Sequence, residues 1–179
     1  PEPKKEGHMF IGWYESEDLT GTAYNKNYKY EEDVTLYACW MKLQYKVYYS
    51  SSEVQLSTLN QSYYYGDELD LYIPTSDIYD FAGWYFEGEE FTEKTMPAGD
   101  VMLTAKWEPK KFTVTLDLNG GELLSGSDVL ENISGGSTVE LPEAQKTGHI
   151  FLGWYTSLDN RGIKFSETDV VTSSITLYA

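Results

Sequence analysis

GHMFIGWY at Gly7–Tyr14, IYDFAGWY at Ile78–Tyr85 and GHIFLGWY at Gly148–Tyr155 are one phrase written three times. Trp13 and Trp84 stand 71 residues apart, and Trp84 and Trp154 stand 70 apart. Self-similarity at a fixed long period is the mark of a tandem array, in which each copy is one small structural unit. Within the phrase the residues alternate as in a strand, with Phe10, Gly12 and Tyr14 on one face and Ile11 and Trp13 on the other. Apolar groups on both faces predict a strand covered on both sides. A glycine inside a strand weakens it unless a ring or another backbone comes close there. The Trp therefore reads as the main core residue of each unit, since one buried indole removes about 150–250 Å² from water. The alternative use of these indoles, a platform for stacking sugars, would take the same residue out of a very small core.

Working outward, the phrase divides the 179 residues into a partial repeat (1–40), a complete repeat (41–107) and a nearly complete one (108–179). The first lacks its opening strands, and the last stops just before its expected closing Trp, so the sequence reads as part of a longer array. In repeat 41–107, Tyr45, Val47 and Tyr49 alternate inward on a first strand. A turn at Ser50–Ser52 follows, and Val54 and Leu56 predict a short second strand. Gly66-Asp67 turns the chain into a third, with Leu69 and Leu71 inward. Pro74 breaks it before the GWY strand, and Val101, Leu103 and Ala105 lead to the closing Trp107. In repeat 108–179, Phe112, Val114 and Leu116 alternate inward, Asn119-Gly120 is a hairpin signal, and Val139 and Leu141 match Leu69 and Leu71. The helix signals are confined to Ser125–Asn132 and Glu143–Thr147. The joint Glu108-Pro109-Lys110-Lys111 is too short to act as a flexible linker. The unpaired sheet edges of the partial first repeat predict disorder there, or strand pairing with another chain.

Composition narrows the chemistry. The formal net charge is −16, spread over all three repeats, and this disfavours nucleic acid and anionic membrane surfaces as partners. One cysteine, Cys39, allows no intrachain disulfide, and its counterpart Lys106 predicts an outward position. No apolar run approaches the roughly 20 residues of a membrane span. His8 and His149 occupy equivalent positions in separate repeats, where a metal pair or catalytic dyad would not be built. Gly135-Gly136-Ser137 lacks the lysine of a phosphate loop. Asp159-Asn160-Arg161-Gly162 and Asp117–Gly121 read as turns, without the spaced carboxylates of a calcium loop. We therefore expect no catalytic residues, no metal and no cofactor.

Tyrosine is the one side chain in excess, with 16 copies. Tyr63-Tyr64-Tyr65 stands where the last repeat has Ile133-Ser134-Gly135, and Tyr48 matches the outward Thr115. Neighbouring strand residues face opposite ways, so at least one ring of the triplet points outward. Exposed tyrosine offers a flat amphipathic contact for a sugar or a protein. Tyr48 and Tyr64 are thus the candidate ligand-binding residues, set against ordinary surface tyrosine in a strand-rich chain.

The unit, laid out this way, resembles the Listeria–Bacteroides repeat, also found as the B-repeat of internalins. The resemblance is carried by Thr115-Leu-Asp-Leu-Asn119-Gly-Gly, Gly136-Ser-Thr-Val139-Glu-Leu141-Pro142, Gly148-His-Ile-Phe151-Leu-Gly-Trp154-Tyr155 and Leu36-Tyr37-Ala38-Cys39-Trp40. The middle repeat departs most, with Ile78 for the glycine before the strand, Tyr72 for the proline and Thr104 for the closing Tyr. The resemblance implies a mainly β fold of tandem β-grasp-like units of about 70 residues. It also implies a non-catalytic, extracellular repeat region of a bacterial cell-surface protein, a spacer or adhesin whose partner is a host or matrix protein or a glycan. The competing expectation is a glycan-binding module of a secreted or surface enzyme.

Overall fold

The computed structural model describes residues 2–27, 29–159 and 161–179. Among these the regular structure is strand throughout, as the Tyr, Val, Thr and Phe of the periodic segments lead one to expect. The chain divides into two compact units, Pro1–Ile73 with Gly83–Ala105, and Pro74–Ala82 with Lys106–Ala179. Their boundaries do not follow the sequence repeats: each unit takes in a joint between consecutive repeats.

In the first repeat, β1 (His8–Tyr14) pairs antiparallel with β2 (Tyr37–Lys42). The second repeat supplies β3 (Gln44–Ser50), β4 (Asn60–Tyr64), β5 (Tyr79–Phe86), β6 (Glu89–Glu90) and β7 (Val101–Pro109), ordered β4-β3-β7-β5-β6 in one sheet. The third supplies β8 (Lys111–Asp117), β9 (Glu122–Leu123), β10 (Val129–Ser134), β11 (Ala144–Gln145), β12 (Trp154–Tyr155), β13 (Lys164–Phe165) and β14 (Ile175–Tyr178). Its main sheet runs β10-β8-β14-β12-β13, the same order, with β9 and β11 forming a small sheet of their own. In both repeats the opening strand lies parallel to the closing strand: Val47 is level with Val101, and Val114 with Ile175. Two parallel strands need a long crossover between them, and the crossover here carries the remaining strands of the repeat.

The inward alternation read from the sequence holds on the opening and closing strands. Val47, Tyr49, Val101, Leu103, Ala105 and Trp107 are buried, as are Val114, Leu116 and Leu177. Trp84 and Trp154 are 5% and 3% exposed, so they have no free face on which a sugar could stack. Each indole N–H donates to a backbone carbonyl in the segment before the GWY strand, that of Tyr72 and Pro142 respectively, both at 2.8 Å. These two acceptors occupy the same place in the repeat, so the middle repeat's Tyr-for-Pro exchange leaves the bond in place.

Five expectations need correction. The third strand read at Leu69 and Leu71 is not formed, and only an isolated bridge joins Glu68 to Thr95 there. The plain alternation of the GWY phrase fails, because the β1–β2 register slips between Phe10 and Gly12. The slip is a bulge at Ile11, and two residues of β1 there oppose one of β2. Phe10 and Trp13 consequently share a side, with rings edge-on at 5.5 Å, and Phe151 and Trp154 do the same at 5.6 Å. Val54 and Leu56 form no strand; Ser51 Oγ accepts the Val54 N–H and holds a turn, and the second strand begins later, at Asn60. Asn119 and Gly120 do adopt the positive φ of a tight turn, 48° and 77°. The turn does not close a hairpin, however, since the antiparallel partner of β8 is β10 and β9 pairs with β11. Finally, Ser125–Asn132 and Glu143–Thr147 contain no helix, and β10 and β11 begin in them. Their apolar residues find partners across a sheet, which outweighs weak helical propensity.

Tyr49 carries a pH consequence. Burial is the main cause that pushes its hydroxyl up to about 12, from 10.0. The hydroxyl bonds to Gln61 Oε1 and accepts the Tyr72 N–H at 3.3 Å. A raised acid pKa means that the unfolded chain loses the proton first as pH rises. Stability from this group is therefore complete below pH 10 and is lost between pH 10 and about 12. Urea titrations from pH 9 to pH 12 should show a falling midpoint that is shallower in Tyr49→Phe; equal slopes would contradict this.

Candidate functional site

The two candidate tyrosines lie on the outward face of the second repeat's sheet. Tyr64, 49% exposed, sits on the edge strand β4 opposite Gln44. Tyr48, half-buried on β3, lies between Asn60 of β4 and Met102 of β7, and Met102 is 64% exposed. The two rings share a face without being neighbours, since Gln44 and Tyr48 are four residues apart, about 13 Å along β3. A flat ligand lying on one would not reach the other.

The rest of the tyrosine triplet is engaged in packing. Tyr63 donates its hydroxyl to the Asp70 carbonyl at 2.5 Å. Tyr65 turns to the first repeat, where its ring lies edge-on to His8 at 5.6 Å and directly over Gly7. A Cβ at Gly7 would stand 2.0 Å from Tyr65 Cγ, far inside contact distance.

The histidines repeat one local contact: His8 Nδ1 meets the Glu6 carbonyl at 2.7 Å, and His149 Nδ1 meets that of Thr147 at 3.0 Å. The acidic turns are likewise local. Asp18 accepts from the Thr20 amide, the Thr20 hydroxyl and the Ser16 hydroxyl, which hold its carboxyl down to about 2, with the Ser16 bond the largest cause. Asp159, its counterpart, accepts from Ser157 Oγ and the Arg161 amide; Asn160 of that turn lies outside the described residues. Such bonds close turns of the aspartate type and draw the carboxylates into their own loops. Among the described residues no three His, Cys, Asp or Glu side chains converge on a point that could hold a metal. Cys39 is half-buried on β2.

An open cavity of about 550 Å³ lies in the third repeat, lined by Leu118, Phe151, Leu152, Tyr155 and Tyr178 among others. Its place in the repeat explains it. In the first two repeats the counterparts of Phe151, Phe10 and Phe81, meet Trp40 and Trp107 edge-on, both at 5.4 Å. Those indoles stand two residues beyond Ala38 and Ala105, the counterparts of Ala179. The cavity thus lies where the first two repeats pack a closing indole, and its rim also carries the polar side chains of Asn119, Lys146, His149 and Asp159.

The short joint read at residues 108–111 is present, and the hydrogen bonding at it and at its counterpart was not anticipated. Each is one residue bonded on both sides. Leu43 N–H donates to the Gly7 carbonyl and its carbonyl accepts from Tyr65 N–H, both at 2.9 Å. Lys110 does the same in the second compact unit, donating to Ile78 at 3.0 Å and accepting from Gly135 at 2.8 Å. β2 and β3 are separated only by Leu43, and β7 and β8 only by Lys110. The signal for this was present in the sequence, where Ile78 replaces a glycine and Tyr65 stands against Gly135.

Fold and site together define a tandem array of small all-β repeats with paired strands at every joint. The chain belongs to the Listeria–Bacteroides repeat domain family, which it matches over residues 1–39, 45–106 and 112–179. It is 34% identical, over 99% of its length, to each of two proteins of Evansella cellulosilytica whose names mark them provisionally as membrane proteins, the second as Gly-rich. It covers 27% and 21% of those proteins. It is also 32% identical to Internalin H of Listeria monocytogenes over 114 residues, 59% of this chain and 20% of that protein. The chain thus spans about a quarter or less of the relatives it matches. No solved structure matches it. Among the described residues no helix is long and apolar enough to cross a membrane.

Proposed function

We propose that this chain is a non-catalytic, extracellular spacer and adhesive region of a bacterial surface protein. The single observation that supports the spacer reading most is the pair of one-residue joints at Leu43 and Lys110, each with its amide and carbonyl both bonded. A joint of this kind resists bending, because any hinge there gives up two backbone hydrogen bonds. Repetition would add avidity to weak contacts without a strong individual site. The partner on this reading is a host or matrix protein, or a glycan. The exposed ring of Tyr64 keeps open the second reading, a glycan-binding module of a secreted or surface enzyme.

Two measurements test this. Inserting about six Gly and Ser residues after Lys110 creates a flexible link, and small-angle scattering should then show a broader range of dimensions than for the native chain. A native chain already as flexible as the inserted one would rule out the spacer role. Retention on immobilised polysaccharides and matrix proteins, with Tyr64→Ala as control, addresses adhesion. Selective retention on a polysaccharide, lost in the control, would favour the glycan-binding reading; retention on a matrix protein, or weak retention on either that the control does not alter, is the expected result.

A further inference from the structure

The two joints share one pattern of backbone hydrogen bonds, although Gly7 has φ +64° and Ile78 lies outside the left-handed region, and they differ reciprocally in the side chains that meet across it. Two positions are involved: the residue that opens the GWY phrase, and the residue just past β4 or its counterpart β10 in the next repeat. In the first joint these are Gly7 and Tyr65, and the Tyr65 ring occupies the space a Cβ at Gly7 would need. In the second they are Ile78 and Gly135. Here a Cβ at Gly135 would stand 2.6 Å from the Ile78 carbonyl oxygen and 2.9 Å from the Ile78 Cβ. The neighbouring Gly136 would bring one to 3.2 Å from Ile78 Cδ1. One side is large wherever the other is glycine, and the large side changes places between the joints.

We propose that this pair is the specificity determinant by which consecutive repeats recognise one another: a knob on one repeat, a glycine socket on the other, placed on either side of the bonded joint residue. Two large residues would clash with backbone, and two glycines would leave a hole beside the paired strands. Gly148, the counterpart of Gly7 and Ile78 in the third repeat, has nothing within 4 Å of where a Cβ would stand. By the same rule that surface takes a repeat with a large side chain at the position of Tyr65. The inference concerns how repeats pair, and it holds whether the array spaces or binds.

The test is a size-swap cycle at the second joint, read by amide hydrogen exchange at Lys110, whose N–H is bonded to Ile78. Ile78 and Gly135 both lie outside the left-handed region, so φ by itself bars neither residue type at either position; at Gly135 the bar is the contact with Ile78. Ile78→Gly, which opens a hole, and Gly135→Tyr, which adds a second large group, should each reduce protection of the Lys110 amide about tenfold. Ile78→Gly does not delete the carbonyl that a Cβ at Gly135 would meet at 2.6 Å, but it frees position 78 to take the positive φ of Gly7, so the double variant can adopt the first joint's backbone with its Gly/Tyr pair and should return to within about threefold of native. Singles without effect, or a double that loses the sum of the two, would overturn the proposal. Should Gly135→Tyr fail to fold, Gly135→Ala reads the same clash in a smaller step, and failure of the double to restore folding counts against the rule. For Gly148, residues 39–107 appended after Ala179 bring Tyr65 to the socket. The appended Leu43 amide should be protected there and lose that protection when the appended segment carries Tyr65→Gly. Equal protection in both would likewise overturn it.

Discussion

Trp154→Ala should unfold the third repeat. Trp154 is 3% exposed in a core made of Val114, Leu116, Val139, Ala144, Val171 and Leu177. Truncating a buried indole to a methyl group costs about 3–5 kcal/mol. A repeat of this size holds a core of about the same worth, 3–5 kcal/mol. The Pro142 carbonyl also loses the indole N–H it accepts at 2.8 Å. Urea unfolding followed by circular dichroism would show the loss, and a variant within about 1 kcal/mol of native would show that the core lies elsewhere. Trp154→Phe separates the two contributions. It keeps most of the burial, loses the hydrogen bond, and should cost about 1–2 kcal/mol.

The second large effect is expected one residue earlier. Gly153 has φ +127°, a conformation that side chains rarely adopt, and a Cβ there would stand 2.7 Å from Lys164 Cε. The lysine end can move aside, but the backbone cannot relax without rotating Trp154 out of its seat against Phe151. Gly153→Val should therefore cost about 2–3 kcal/mol, from backbone strain that a β-branched side chain cannot relieve. Gly12, where no positive φ arises and a Cβ would meet only Tyr14 Cε2 at 3.8 Å, should tolerate alanine far better. Thermal unfolding of both variants compares them directly, and equal losses would refute the role given to the backbone at Gly153.

The tyrosines show how far sequence reading goes toward a site. Alternation on β3 and β4 placed Tyr48 and Tyr64 outward, because strand periodicity depends only on local backbone geometry. It could not give their separation, which follows from the register of Gln44 with Tyr64 and of Tyr48 with Asn60. Nor could it tell that Tyr65 is spent on packing over Gly7, a contact between residues 58 positions apart.

The repeat period, the all-β class, the buried Trp84 and Trp154 and the inward strands at Val47, Val114 and Leu103 were all determined by the sequence by itself. They rest on periodicity and on the transfer of apolar surface out of water, and both are written in neighbouring residues. Only the tertiary structure decided the bulge that brings Phe10 and Trp13 to one side, the pairing of β8 with β10 rather than β9, and the joints at Leu43 and Lys110. Each of these depends on which strand supplies the partner for a given N–H or carbonyl, and that choice is made by packing between segments far apart in the chain.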